Sequence, residues 1–281
     1  MKFLSELHRS IFDPSFYWKV LSFKKAQVFF FVLKLLIFTS LVSGLAKSYY
    51  LVHPQRGIST QVETLLNGIE IKDGRLEVNR DVPYVAPKEM AVSVVNRLVG
   101  FSNLLEEVPD TFLVVDTREA DEWSTKPKPQ ILLKSSYVIF DWGVLKKEVP
   151  YQDFLGSRKD FSFSADGVRE FLRSRYYTLL GSFVYTNLLF GSSMTLLTIF
   201  FLSLSAYMFR ADKMKGIGYY IKIACFSITP VLVGTSLVAV SGVRADWTLH
   251  IFIIISTVVM FRAMAYTSAR ALSEEKKKSL E

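Results

Sequence analysis

Residues 26–46 read AQVFFFVLKLLIFTSLVSGLA, twenty-one positions that carry a single charge, Lys34. The hydrocarbon core of a bilayer is about 30 Å thick, and a helix rising 1.5 Å per residue needs about 20 apolar residues to cross it. The stretch therefore predicts a transmembrane helix. Three further stretches meet the same condition, at 178–209, 217–241 and 247–266. The second exceeds the required length, so it is expected to begin outside the lipid. Pro230 lies inside the third and removes one backbone donor, which predicts a kink. Half of the 281 residues are hydrophobic, more than a soluble fold requires. The fold class that follows is an α-helical membrane bundle of about four transmembrane helices with an extracytoplasmic α+β domain inserted after the first.

Charge supplies a direction. The formal net charge is +8, and the surplus sits beside the apolar stretches: Lys2, Arg9, Lys19, Lys24 and Lys25 before the first, Arg210, Lys213 and Lys215 between the second and third, Arg270 and Lys276 to Lys278 after the fourth. With four spans these segments share one side, whereas the opposite turn at 242–246 has only Arg244, accompanied by an acid. The positive-inside bias assigns that shared side to the cytoplasm. The expected order is a cytoplasmic amphipathic arm at 1–25, a first transmembrane helix at 26–47, an extracytoplasmic domain at 48–177, three helices within 178–268 and a basic cytoplasmic tail at 269–281. Residues 48–177 hold 17 basic and 19 acidic residues, a near balance that argues against nucleic acid as a partner. A cleaved leader is the alternative for 26–46, with Gly44 and Ala46 as its small residues; the long arm and long apolar core favour a retained helix.

In the arm, Leu4, Leu7 and Ile11 recur at helical spacing, and Asp13-Pro14 reads as an N-cap and first-turn proline that restart a helix through Phe16, Tyr17 and Val20. Such a helix either lies along the inner leaflet or packs on the end of the bundle.

Within the inserted region, IEIKDGRLEV at 69–78 places Asp73-Gly74 between two alternating runs, a hairpin signature. Strands are expected at 112–116, 131–134, 137–140 and 144–149, a helix at 87–105 and an exposed loop at 118–129. From Ser164 onward the chain reads as a capped helix running into the second span. The lone cysteine, Cys225, falls in an apolar stretch, so the inserted domain must rely on its own core.

IFDPSFYWKV at 11–20, the hairpin at 69–78, VVDT at 114–117 and SITP at 227–230 together resemble the bacterial membrane proteins grouped as domain of unknown function family 1189. The resemblance covers nearly the full chain, with a longer segment than expected at 88–103. It implies the order of one span, an extracytoplasmic domain and three more spans. Some family members are labelled maltodextrin-utilisation proteins, which implies an association with sugar uptake.

No stretch forms H-E-x-x-H, a phosphate loop, a G-x-S-x-G elbow or a zinc-spaced cysteine pair, and His8, His53 and His250 stand apart in sequence. No catalytic residue, cofactor or metal is expected. Asp116-Thr117 matches half of an aspartic protease motif, but Arg118 follows where glycine is needed, so it reads as a strand end entering a turn. The functional candidates are polar or helix-breaking groups at membrane depth: Lys34, Asn187, Pro230 and His250. Lys222 and Arg262 are expected to snorkel to the headgroups. Gly191, Ser192, Ser193, Gly234, Thr235 and Ser236 suit close helix packing. The leading expectation is a non-enzymatic accessory, sensor or assembly protein of the bacterial cytoplasmic membrane. Its partners would be the lipid bilayer and another membrane or envelope protein, with a homo-oligomer also compatible. A component of a solute transport system, with Lys34 and the kinked helix on the substrate path, is one alternative, and an envelope enzyme using His250 or Asp246 is another.

Overall fold

A computed structural model describes residues 2–53, 57–99, 111–118, 128–141, 146–156, 158–209, 215–241 and 248–279. It forms two compact units, residues 1–48 with 177–281, and residues 49–176. The chain opens with α1 (Lys2–Phe12) and α2 (Phe16–Leu21), followed by α3 (Lys25–Val52). Between α1 and α2 the Asp13 carboxylate accepts from the Ser15 amide two residues on, at 2.9 Å, and from Arg9 Nε at 3.0 Å. Asp13 thus makes the turn by an Asx bond instead of capping α2, whose first helical residue is Phe16.

The inserted unit contains α4 (Ser59–Leu66), β1 (Ile69–Lys72), β2 (Arg75–Val78), β3 (Tyr84–Val85), α5 (Lys88–Val99), β4 (Leu113–Val115), β5 (Ile131–Leu133), β6 (Tyr137–Asp141), β7 (Lys146–Pro150), α6 (Tyr151–Leu155), β8 (Phe161–Ser162) and α7 (Ala165–Ser174). The hairpin is where the sequence put it: Lys72 pairs with Arg75, and Asp73 and Gly74 both have positive φ, 48° and 74°. That is the primed turn an Asp-Gly pair favours. Strands β2, β1 and β8 form one sheet, and β3 to β7 form a second in chain order with only β4 and β5 parallel. The Leu76 amide donates to the Ser135 carbonyl at 2.7 Å and ties the hairpin to the β5–β6 turn. Ile69, Ile71, Leu76, Phe112, Val114, Leu132 and Val138 are buried, so the unit has an apolar core without a disulfide. Four of the expected strands match β4 to β7. The expected helix at 87–105 is seen as α5; residues 100–105, the bulk of the loop at 118–129 and the start of the strand at 144–149 lie outside the described residues. Helices α4 and α6 and strands β3 and β8 were not read from sequence.

After α7 the chain continues as α8 (Tyr176–Met208), α9 (Ile217–Ser227), α10 (Thr229–Ser241) and α11 (Thr248–Lys278). Ser164 caps α7 as expected, its hydroxyl accepting from the Gly167 amide at 3.2 Å. The helix does not run on into the second apolar stretch: Arg175, at φ −102° and ψ 11°, interrupts it before α8 begins. Among the described residues, four helical segments are long and apolar enough to cross a membrane, namely Lys25–Val52, Tyr176–Met208, Ile217–Ser241 and Leu249–Lys278. Their shared core centres on Phe226, whose ring stacks on Phe31 at 4.1 Å and meets the edges of Phe16 at 5.6 Å and Phe23 at 5.8 Å. Phe16, Tyr17 and Val20 of α2 are buried in it. Of the two placements considered for the arm, the structure shows α2 packed on the bundle, while Leu4 and Phe12 of α1 remain exposed.

Candidate functional site

A buried polar constellation that joins four helices of the bundle lies where the third apolar stretch breaks. Pro230 has no N–H, so the carbonyl of Phe226, four residues back, loses its helical donor. The Thr229 hydroxyl replaces it, donating to Phe226 O at 2.7 Å. The backbone leaves regular helix at Ile228, which separates α9 from α10. Thr229 in turn accepts from Ser10 Oγ of α1 at 3.0 Å. Tyr17 OH donates to the Ser10 carbonyl at 2.5 Å and accepts from Ser227 Oγ at 3.3 Å. Ser10, Ser227 and Thr229 are fully buried. The break is thus held by hydroxyls from α1, α2, α9 and α10, each of which satisfies a polar atom that an apolar surrounding would otherwise penalise.

The four candidates named from sequence do not converge on this place. Pro230 belongs to it. Lys34 is exposed on α3, with no described residue in hydrogen-bonding or ion-pair reach. Asn187 on α8 accepts from Lys47 Nζ at 3.1 Å through its side-chain oxygen, and its buried nitrogen has no protein partner among the described residues. His250 is exposed in the first turn of α11. Lys222, expected to snorkel, instead donates to the Leu21 carbonyl at 2.8 Å and closes the C-terminus of α2. Gly234 is as tight as its small size suggests: a Cβ there would fall 2.3 Å from the Phe252 ring. Ser10 and Tyr17 were missed by sequence reading. Their only signal was the helical spacing of the arm, which says that a face is buried but not against what.

In the inserted unit, Asp116 at the end of β4 is fully buried and is held by Arg118 at 2.9 and 3.1 Å, and the Arg118 carbonyl accepts from Lys134 Nζ at 3.0 Å. A buried acid with a forked guanidinium partner closes the strand end, in keeping with its reading as a turn. Tyr151 OH donates to the Lys134 carbonyl at 2.7 Å, and burial pushes its phenol well above the ordinary tyrosine range. An open cleft of about 280 Å³ lies beside the hairpin, walled by Asp73, Arg75, Tyr137 and Gln152 among others. Among the described residues no three His, Cys, Asp or Glu side chains gather as a metal site.

A model of the family described as "Protein of unknown function (DUF1189)" matches residues 4–264. Searches of the curated proteins and of the solved structures returned no match. The match spans nearly the whole chain, and the chain belongs to that family.

Proposed function

For this member of the DUF1189 family we propose an accessory, sensor or assembly role, without catalysis, in a bacterial cytoplasmic membrane, with both termini cytoplasmic and residues 49–176 facing outward to bind a protein or envelope partner. The observation that carries this reading is the division of labour between the two units. One presents bands of exposed Phe, Leu, Ile and Met along helices of spanning length, as lipid contact demands. The other buries its apolar residues between two sheets and an array of short helices and, among the described residues, keeps its charges other than Asp116 and Lys134 out of the core, as water contact demands.

The interior of the bundle supports an anchoring role over a solute path. The kink at Pro230 is filled by α2 and by the Phe226 aromatic cluster, and the void between the arm and α11 measures only about 10 Å³. The basic residues flanking the spans support the cytoplasmic placement of the termini.

Photo-crosslinking residues placed at exposed positions of the inserted unit, such as Glu77 and Lys147, are expected to capture one discrete partner band in intact cells. If every position yields only the uncrosslinked chain, the partner-binding reading fails.

A further inference from the structure

At the end of the bundle where the basic residues gather, α2, α9 and α11 meet through cations and aromatic rings. We propose that this corner, built by Trp18, Lys215, Tyr219 and Arg270, binds the phosphate of an anionic phospholipid. The inference rests on reading the apolar helices as membrane spans, and the proposed threading makes the leaflet concerned the cytoplasmic one. It is independent of whether the inserted unit binds a partner.

Contacts close the corner on each of its three sides. The Arg270 guanidinium of α11 lies 5.2 Å from the centre of the Trp18 ring on α2. One turn earlier on α11, the Thr267 hydroxyl shares a hydrogen bond with the Tyr219 hydroxyl of α9. Lys222, one turn after Tyr219, donates to the Leu21 carbonyl at 2.8 Å and returns the link to α2. The Lys215 ammonium stands 4.6 Å from the centre of the Tyr219 ring, and Lys19, next to Trp18, is exposed. Arg270 and Lys215 are thus positioned by rings that the fold itself fixes. Glu274 and Tyr266 also engage Arg270. A guanidinium carries five N–H donors in a planar fork, however, so donors remain for the oxygens of a phosphate.

Both cations stand at headgroup level. Arg270 lies 22 residues after Thr248, the first residue of α11, which is about 33 Å at 1.5 Å per residue. Lys215 lies just beyond the 25-residue stretch Ile217–Ser241, which is about 36 Å long. Each length slightly exceeds the roughly 30 Å of hydrocarbon, so each cation emerges where lipid phosphates lie and where Trp and Tyr gather.

The neighbours of the corner indicate what kind of anion it takes. Ile217 and Ile221 on α9 and Leu272 on α11 are exposed beside these cations. Cations that border directly on lipid-facing apolar residues match a ligand whose anion is joined to alkyl chains. A phospholipid is such a ligand; a free phosphate or an acidic peptide is not. Basic clusters on the cytoplasmic side of membrane helices hold anionic headgroups by this combination.

The test uses the full chain in lipid nanodiscs, which expose both faces and so give a result that does not depend on the threading. Melting temperatures are compared in phosphatidylcholine alone and in phosphatidylcholine containing phosphatidylglycerol. The wild type is expected to gain about 3–6 °C from the anionic lipid, the scale of two basic groups meeting an anionic surface in a chain of this size. Lys215→Gln with Arg270→Gln should lose most of that gain. Removing three charges from the tail, by Lys276→Gln, Lys277→Gln and Lys278→Gln, should keep it. Inorganic phosphate added to phosphatidylcholine nanodiscs should not reproduce it. No gain in the wild type overturns the site, as does an equal loss in the tail variant, because the attraction is then diffuse. A matching gain from inorganic phosphate overturns the assignment to a lipid. If the double variant fails to fold, the wild type is labelled with phosphatidylglycerol carrying a photoreactive headgroup. Adducts on residues 18–19, 215–222 and 266–270 support the site, and adducts confined to 276–278 overturn it.

Discussion

At Thr229 one hydroxyl does two things, supplying the donor that Pro230 cannot and receiving Ser10 from another helix. Thr229→Val keeps the shape and removes both bonds, and is expected to destabilise the solubilised protein by about 1–2 kcal/mol, whereas Thr229→Ser should be near neutral; thermal melting in detergent checks both. Gly74 sits at φ +74° with the Gln152 side chain 3.3 Å from where a Cβ would stand. Gly74→Val should therefore cost about 1–2 kcal/mol, through the left-handed backbone alone. Tyr151 gives a pH dependence. Burial favours its neutral form, so its folded pKa lies above the unfolded value near 10. The stability it contributes is fully present below that pH and is lost as pH rises through the folded pKa. Melting curves above about pH 10 should fall less steeply for Tyr151→Phe than for the wild type.

Among the elements, α2 was legible from sequence as a helix but not in what it packs against, and half of its residues are buried. Its residues FYWKVL could equally cover a leaflet or a helix bundle, because both surfaces are apolar and only the partner distinguishes them. Phe226 is that partner, 210 residues later than Phe16. Phe226→Ala would open a cavity against Phe16, Phe23 and Phe31 and is expected to cost about 3–5 kcal/mol, read as loss of the folded fraction in a fluorescence-detected size-exclusion assay. The hairpin β1–β2 and the four apolar helices were legible because each is specified locally, by an Asp-Gly turn and by length against the bilayer. Strands β3 and β8, two residues each, owe their conformation to the neighbours they pair with and leave no pattern of their own. The break at Arg175 was missed for a related reason: nothing in YYTLLG marks a new helix start.

For the whole molecule, the order of spans and the inserted unit followed from hydropathy and charge, while the candidate site followed only in part. Pro230 was found because proline always removes a donor. Lys34, Asn187 and His250 were chosen for polarity at depth, a criterion that says nothing about whether such groups face one another, and they do not. The proposed threading makes its own prediction. With the single native cysteine buried, an impermeant maleimide should label cysteines placed at Asp73 or Lys147 in intact cells and leave one placed at Lys276 unlabelled until the membrane is opened. The reverse pattern would invert the topology.

The hydroxyl contact between Ser10 and Thr229 also fixes a sequence of events. The two residues are 219 positions apart, and a ribosome emits the arm long before α9 and α11 exist to hold it. Throughout translation of the inserted unit, α1 and α2 have no berth. Completion of the bundle is therefore a closing step, in which the oldest part of the polypeptide is drawn in by the youngest, and a chain halted after α8 would leave its N-terminal helices undocked.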